Sequence, residues 1–187
     1  ILIQRLLKVK GMRFKYIFIP SFLFVIGKIG GSPVVTSVES LKSGMFATLL
    51  SQVILPSVGK IPGQYDRKRC LVGLCYLAAK TEQMRMPAFK SVAVDVVKSI
   101  ASLVSSKDPH SKVKDEGDDT TAEIAYNSNS GFSRLSFATS KKSDPFPNVK
   151  ADNALITQSL IQLNQLVPGV INASGVSDAL RTSGVRV

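Results

Sequence analysis

Histidine and cysteine are nearly missing from this chain. The only histidine is His110, and the cysteines are Cys70 and Cys75. Two cysteines so close together on one predicted helix cannot form a disulfide framework, and this fits a reducing intracellular compartment. A structural metal site needs about four ligands, which these residues do not supply. Buried thiols acting as small hydrophobes are the expectation. As a catalytic base His110 lacks a plausible serine or cysteine partner in its sequence context, and it reads as a loop residue. Gly30 and Gly31 precede Ser32-Pro33 without the Gly-Lys-Ser/Thr of a phosphate loop. No paired carboxylates fall in a predicted cleft. We therefore expect no catalysis, no cofactor and no metal. A long membrane-spanning run is also missing. Residues 13–30 start basic and turn apolar, but Lys28 interrupts a run that is shorter than the roughly 20 residues of a span. No clean cleavage site follows, and Ile1 to Leu7 already show a helical pattern upstream, unlike a signal peptide. This stretch reads as a buried helix.

Acidic residues are in the minority: 13 against 24 Lys and Arg, a net charge of +11. Such an excess points to an acidic partner or a polyanion. The charge is uneven. Arg5, Lys8, Lys10, Arg13 and Lys15 crowd the start, and Arg67, Lys68 and Arg69 form a second cluster. Asp115, Glu116, Asp118, Asp119 and Glu123 form an acidic block. Each run can equally be a solvated face. The basic runs carry no interleaved aromatics or RNA-binding signature, so direct nucleic-acid binding is not expected.

What the chain has in plenty is amphipathic helix. Over residues 45–61, Phe46, Leu49, Leu50, Val53, Ile54, Val58 and Ile61 recur at intervals of three and four, one stripe of a helix. Pro56 lies inside that stripe and should kink it, because its ring crowds the carbonyl of Gln52. Pro62 and Gly63 end the helix. A second helix over 66–81 carries Leu71, Leu74, Cys75 and Ala78. Residues 88–105 give the most regular pattern: Phe89, Val92, Ala93, Val96, Val97, Ile100, Leu103 and Val104. Residues 34–42, 150–167 and 170–180 are further helices. Two amphipathic helices cannot bury both stripes alone and need neighbouring pairs, which is the logic of a helical solenoid. Ile1 to Leu7 reads as the inside of a helix, so we expect a fragment of a larger array. The expected organisation is all-α, a HEAT-like α-α superhelix. Its helical repeats run to about residue 106, one long acidic loop over 107–130, and closing helices over 150–183. Phe132, Leu135 and Phe137 of the island 131–139 would pin the loop back.

Three stretches carry a resemblance. The first is 45–74, with Leu55, Pro56, Ile61, Gly63, Arg67, Lys68, Cys70, Val72 and Gly73. The second runs from Gly131-Phe132-Ser133-Arg134 through Lys141 and Lys142 to Asp144-Pro145. The third is Gln158-Ser159-Leu160 with Pro168-Gly169 beyond it. In this order they resemble the C-terminal region of the importin-α re-exporters, the exportin-2 or cellular apoptosis susceptibility family of HEAT-repeat transport receptors. The match extends over roughly residues 1–180; the family tends to be acidic where this chain is basic. The resemblance implies a receptor that binds importin-α together with Ran-GTP and returns importin-α to the cytoplasm, shuttling between nucleus and cytoplasm. Any GTP belongs to Ran. Partner-facing candidates are Lys90, Asp95 and Lys98 on the 88–105 helix, with Asp115, Glu116, Asp118 and Asp119 of the acidic loop. The alternative is a basic helical scaffold on an anionic membrane or nucleic acid, led by the Arg5–Lys15 cluster.

Overall fold

A computed structural model describes residues 12–105, 144–173 and 175–185. All regular structure among them is helical. Helix α1 is Met12–Ile29, α2 is Gly31–Glu39, α3 is Met45–Val58 and α4 is Gln64–Lys80. A 3-10 turn, Glu82–Arg85, leads to α5, Pro87–Ser105, whose first residue is a proline. That is the helical position at which a missing N–H costs nothing. Helices α6, Asn153–Leu166, and α7, Val176–Ser183, close the described chain.

Successive long helices alternate between two layers. In one layer α4 lies between α1 and α6; in the other α5 lies between α3 and α7. Contacts along each layer outweigh those between α4 and α5, the two members of the central pair. This is how a helical repeat closes its core: each stripe is covered by the equivalent helix of the next pair. The chain is an all-α helical-repeat protein. Short α2 turns back from α1 at 120° and packs against α1, α3 and α4. No single described helix is long and apolar enough to cross a membrane.

The central position of α4 explains its sequence. Val72, Gly73, Leu74, Cys75, Leu77 and Ala78 are all buried, wrapping the helix rather than forming one stripe. Gly73 allows the closest approach. A Cβ there would stand 2.3 Å from the carbonyl oxygen of Leu23, so α1 and α4 meet backbone to backbone. Layers are joined by aromatic rings. Phe18 and Phe22 of α1 stack at 5.3 Å, Phe22 meets Phe46 of α3 at 6.3 Å, and Phe46 meets Phe89 of α5 at 6.1 Å. Offset rings at such distances add roughly 1 kcal/mol each beyond burial.

The proline in α3 acts as its chemistry requires. Immediately before it, Leu50–Ile54 is wound as a π-helical segment, and the Leu55 N–H reaches back to the Leu50 carbonyl. One extra residue in the turn relieves the steric conflict of Pro56 with the preceding carbonyls. The expected kink region is therefore a π-bulge, and Phe46, Leu49, Leu50, Val53, Ile54, Val58 and Ile61 all remain buried across it. The closing helix starts later than its apolar pattern indicates. Residues Gly169 and Gly175, both at positive φ, hold turns before Val176.

Candidate functional site

Lys90, Asp95 and Lys98 are all exposed on α5. The structure brings two of them together. Asp95 and Lys98 line a groove between α3 and α5, of about 540 Å³, with Ser51, Pro56, Lys60 and Ser102. The π-bulge and Pro56 form its α3 wall. Lys90 is outside this groove. Lys98 continues to the edge of α7, where a Cβ on Gly175 would lie 3.7 Å from its Nζ. The groove thus carries charges of both signs beside the hydroxyls of Ser51 and Ser102. Asp115, Glu116, Asp118 and Asp119 lie outside the described residues, as do His110, the 131–139 island and the basic residues Arg5, Lys8 and Lys10.

The second basic cluster is occupied within the fold. Arg67 donates from Nη2 to the carbonyl of Leu103 at 2.7 Å, in the last turn of α5, and from Nη1 to Ile61 at 3.5 Å. A cation there also meets the negative end of the helix dipole. Lys68 Nζ pairs with Asp144 Oδ2 at 2.6 Å and donates to the Phe146 carbonyl at 2.9 Å. Arg69 pairs with Asp66 at 2.6 Å and lies over the Phe24 ring. Asp144 accepts a further bond from the Phe146 N–H, at 2.9 Å. The Lys68 hydrogen bond, followed by that N–H, holds its carboxyl below the usual carboxylate range.

Phe146 completes this junction from the apolar side. It is buried against Phe24, with centroids 5.2 Å apart, and Lys28 Nζ stands 4.9 Å from its centroid. A Cβ on Gly27 would fall 2.7 Å from the ring, so the glycine makes room for it. The sequence signals were a proline-flanked aromatic and a glycine inside a helical pattern. Neither reveals the partner.

The two thiols are packing groups. Burial raises both pKa values, Cys75 to about 12 despite a hydrogen bond with Ser159 across the α4–α6 contact. Thiols kept protonated in this way are poor nucleophiles. Among the described residues, no group of three or more His, Cys, Asp or Glu stands close enough to hold a metal ion.

A two-layer helical array with polar, mixed-charge grooves between its pairs defines the class: a helical-repeat scaffold. Within that class, the sequence profile described as "CAS/CSE protein, C-terminus" matches residues 1–185, and the chain belongs to this family. Exportin-2 of Danio rerio is 25% identical over 191 residues, and exportin-2 of Mus musculus and of Homo sapiens are each 26% identical. Each match covers all of this chain and 19% of the relative, so the chain spans about a fifth of the length of these curated relatives. No solved structure matches it.

Proposed function

We propose that this chain is the C-terminal helical-repeat part of a nuclear export receptor that binds importin-α together with Ran-GTP and returns importin-α to the cytoplasm. The single observation that carries the reading is the family match across residues 1–185. The receptor shuttles between nucleus and cytoplasm. It is not an enzyme and has no cofactor of its own, since the nucleotide is carried by Ran. The polar side of α5 and the acidic stretch at 115–119 face its partners, and the acidic stretch meets a basic surface of the cargo. Charges on such a surface steer encounter and fix register more than they add affinity.

The basic-scaffold alternative, led by the Arg5–Lys15 cluster, loses the support of the second basic cluster. Arg67, Lys68 and Arg69 have intramolecular partners, so this cluster is not a free polyanion site. Importin-α titrated against the intact protein tests the preferred reading. Reversing Asp115, Glu116, Asp118 and Asp119 to lysine should weaken binding about tenfold or more, as close charge pairs across an interface do. Unchanged affinity would remove the acidic stretch from the interface.

A further inference from the structure

In α3 the π-bulge and Pro56 together deprive one carbonyl of its helical donor. The N–H that would serve the Ser51 carbonyl in an α-helix is that of Leu55, and it reaches back to Leu50 instead. The next residue, Pro56, has no N–H to offer. Ser51 lines the groove of about 540 Å³ between α3 and α5, together with Lys60, Asp95, Lys98, Ser99 and Ser102. Among the described residues the side chains of these last five have no intramolecular hydrogen bond or ion pair. Lys68 and Arg69, by contrast, are spent on Asp144 and Asp66. A Cβ on Gly59 would stand 3.2 Å from the Ser102 hydroxyl, so the glycine leaves room beside that donor.

We infer that the α3–α5 groove takes an extended acidic segment of a partner protein. The inference deepens the reading of α5 as a partner-facing side and rests on that reading. Two ammonium groups against one carboxylate give the groove a positive balance, in a chain of net charge +11. A polypeptide backbone brings an N–H and a carbonyl with every residue. Its N–H groups suit the Asp95 carboxylate and the Ser51 carbonyl, its carbonyls suit the Ser99 and Ser102 hydroxyls, and acidic side chains suit Lys60 and Lys98. A nucleic-acid backbone offers phosphate acceptors, which Asp95 repels and which leave the Ser51 carbonyl unpaired. The groove also has no aromatic ring on which a base could stack.

The experiment follows the anisotropy of a labelled Glu-Ser repeat peptide with the intact protein at low salt. Lys60→Gln combined with Lys98→Gln should weaken binding about tenfold, as loss of two unshared charges does. Lys90→Gln, on the same helix but outside the groove, should leave it unchanged. Pro56→Ala supplies an N–H for the freed carbonyl and should weaken binding several-fold with Tm no lower. Helical circular dichroism establishes that each variant folds; all four positions are exposed. No binding of the peptide, or equal losses in Lys90→Gln and in the double variant, overturns the groove. Unaltered binding in Pro56→Ala overturns the part given to the Ser51 carbonyl. An oligonucleotide that displaces the peptide, and that itself binds the double variant more weakly, overturns the polypeptide assignment in favour of nucleic acid. Importin-α titrated against the same variants separates the two readings. Weaker peptide binding with unaltered importin-α binding upholds the groove and overturns this side of α5 as the importin-α contact.

Discussion

Gly73 shows how much one hydrogen atom can decide. Its missing Cβ allows the Leu23 carbonyl to approach, and Leu23 is backbone that cannot rotate away. Gly73→Ala should destabilise the protein by about 2–3 kcal/mol, as overpacking does when the neighbour is rigid, measurable by urea unfolding. Two pH effects belong at the same scale. The Asp144 carboxyl is depressed in the folded state, so its pairing contributes stability above the ordinary carboxylate range and loses it as pH falls through the folded value. Substituting Asp144 should therefore abolish part of the stability difference between about pH 5 and pH 3, and leave the profile between pH 5 and 8 flat. The thiols run the other way. Their folded pKa values are raised, so burial of the protonated form favours folding below the ordinary thiol range near 8.5, and the benefit is lost as pH rises toward about 12. Replacing Cys70 and Cys75 by alanine should flatten the alkaline limb of a pH–stability curve. In the native protein at pH 8, neither thiol should react with a soluble disulfide reagent until unfolding exposes it. Burial of the two thiols was legible in the sequence, whereas the roles of Gly73, Lys68 and Asp144 were not. A glycine or lysine in a helix looks the same whether it meets solvent or a neighbouring backbone, and the Lys68 partner lies at position 144.

The helices themselves were legible wherever burial is one-sided. On α5, Phe89, Val92, Ala93, Val96, Val97, Ile100 and Leu103 are buried as the three-and-four spacing requires, with Val104 half-buried at the end. On α4 the pattern was blurred for a physical reason: the helix is covered by α1, α5 and α6, so apolar residues surround it. Start signals were less legible. The N-terminus of α3 has no polar N-cap of its own; Gly44 occupies that position. Glu39 fills the role from the preceding helix, its carboxylate accepting the Gly44 N–H at 2.6 Å and the Phe46 N–H at 2.8 Å. That cap depends on the fold of the 40–44 turn, which local pattern does not reveal. By contrast α6 carries its own cap: Asp152 accepts the Leu155 N–H at 3.1 Å, so the helix starts at Asn153 and not at residue 150. Glu39→Ala should cost about 1–2 kcal/mol, because two charge-assisted bonds to orphan amides are lost. Glu39→Gln should recover part of this. Thermal melts of the three proteins, compared at one pH, check the order.

At the scale of the whole molecule, the solenoid follows from a single requirement. Each helix pair leaves an apolar stripe uncovered, and stacking in two layers covers it with the next pair. The sequence carried this requirement in its repeated stripes, and the three resembling stretches carried the family. One pair of these meets in space: Lys68 of the first stretch and Asp144 of the second form an ion pair. Which exposed charges share a groove was not legible, because Lys90, Asp95 and Lys98 look alike in sequence while only Asp95 and Lys98 line the α3–α5 groove. The central claim, an export receptor of the CAS/CSE family, is tested most directly by the affinity of the intact protein for importin-α, measured with and without Ran-GTP. The account predicts that Ran-GTP tightens importin-α binding by more than about tenfold, a coupling of roughly 1.4 kcal/mol. Importin-α that binds in neither condition would contradict it.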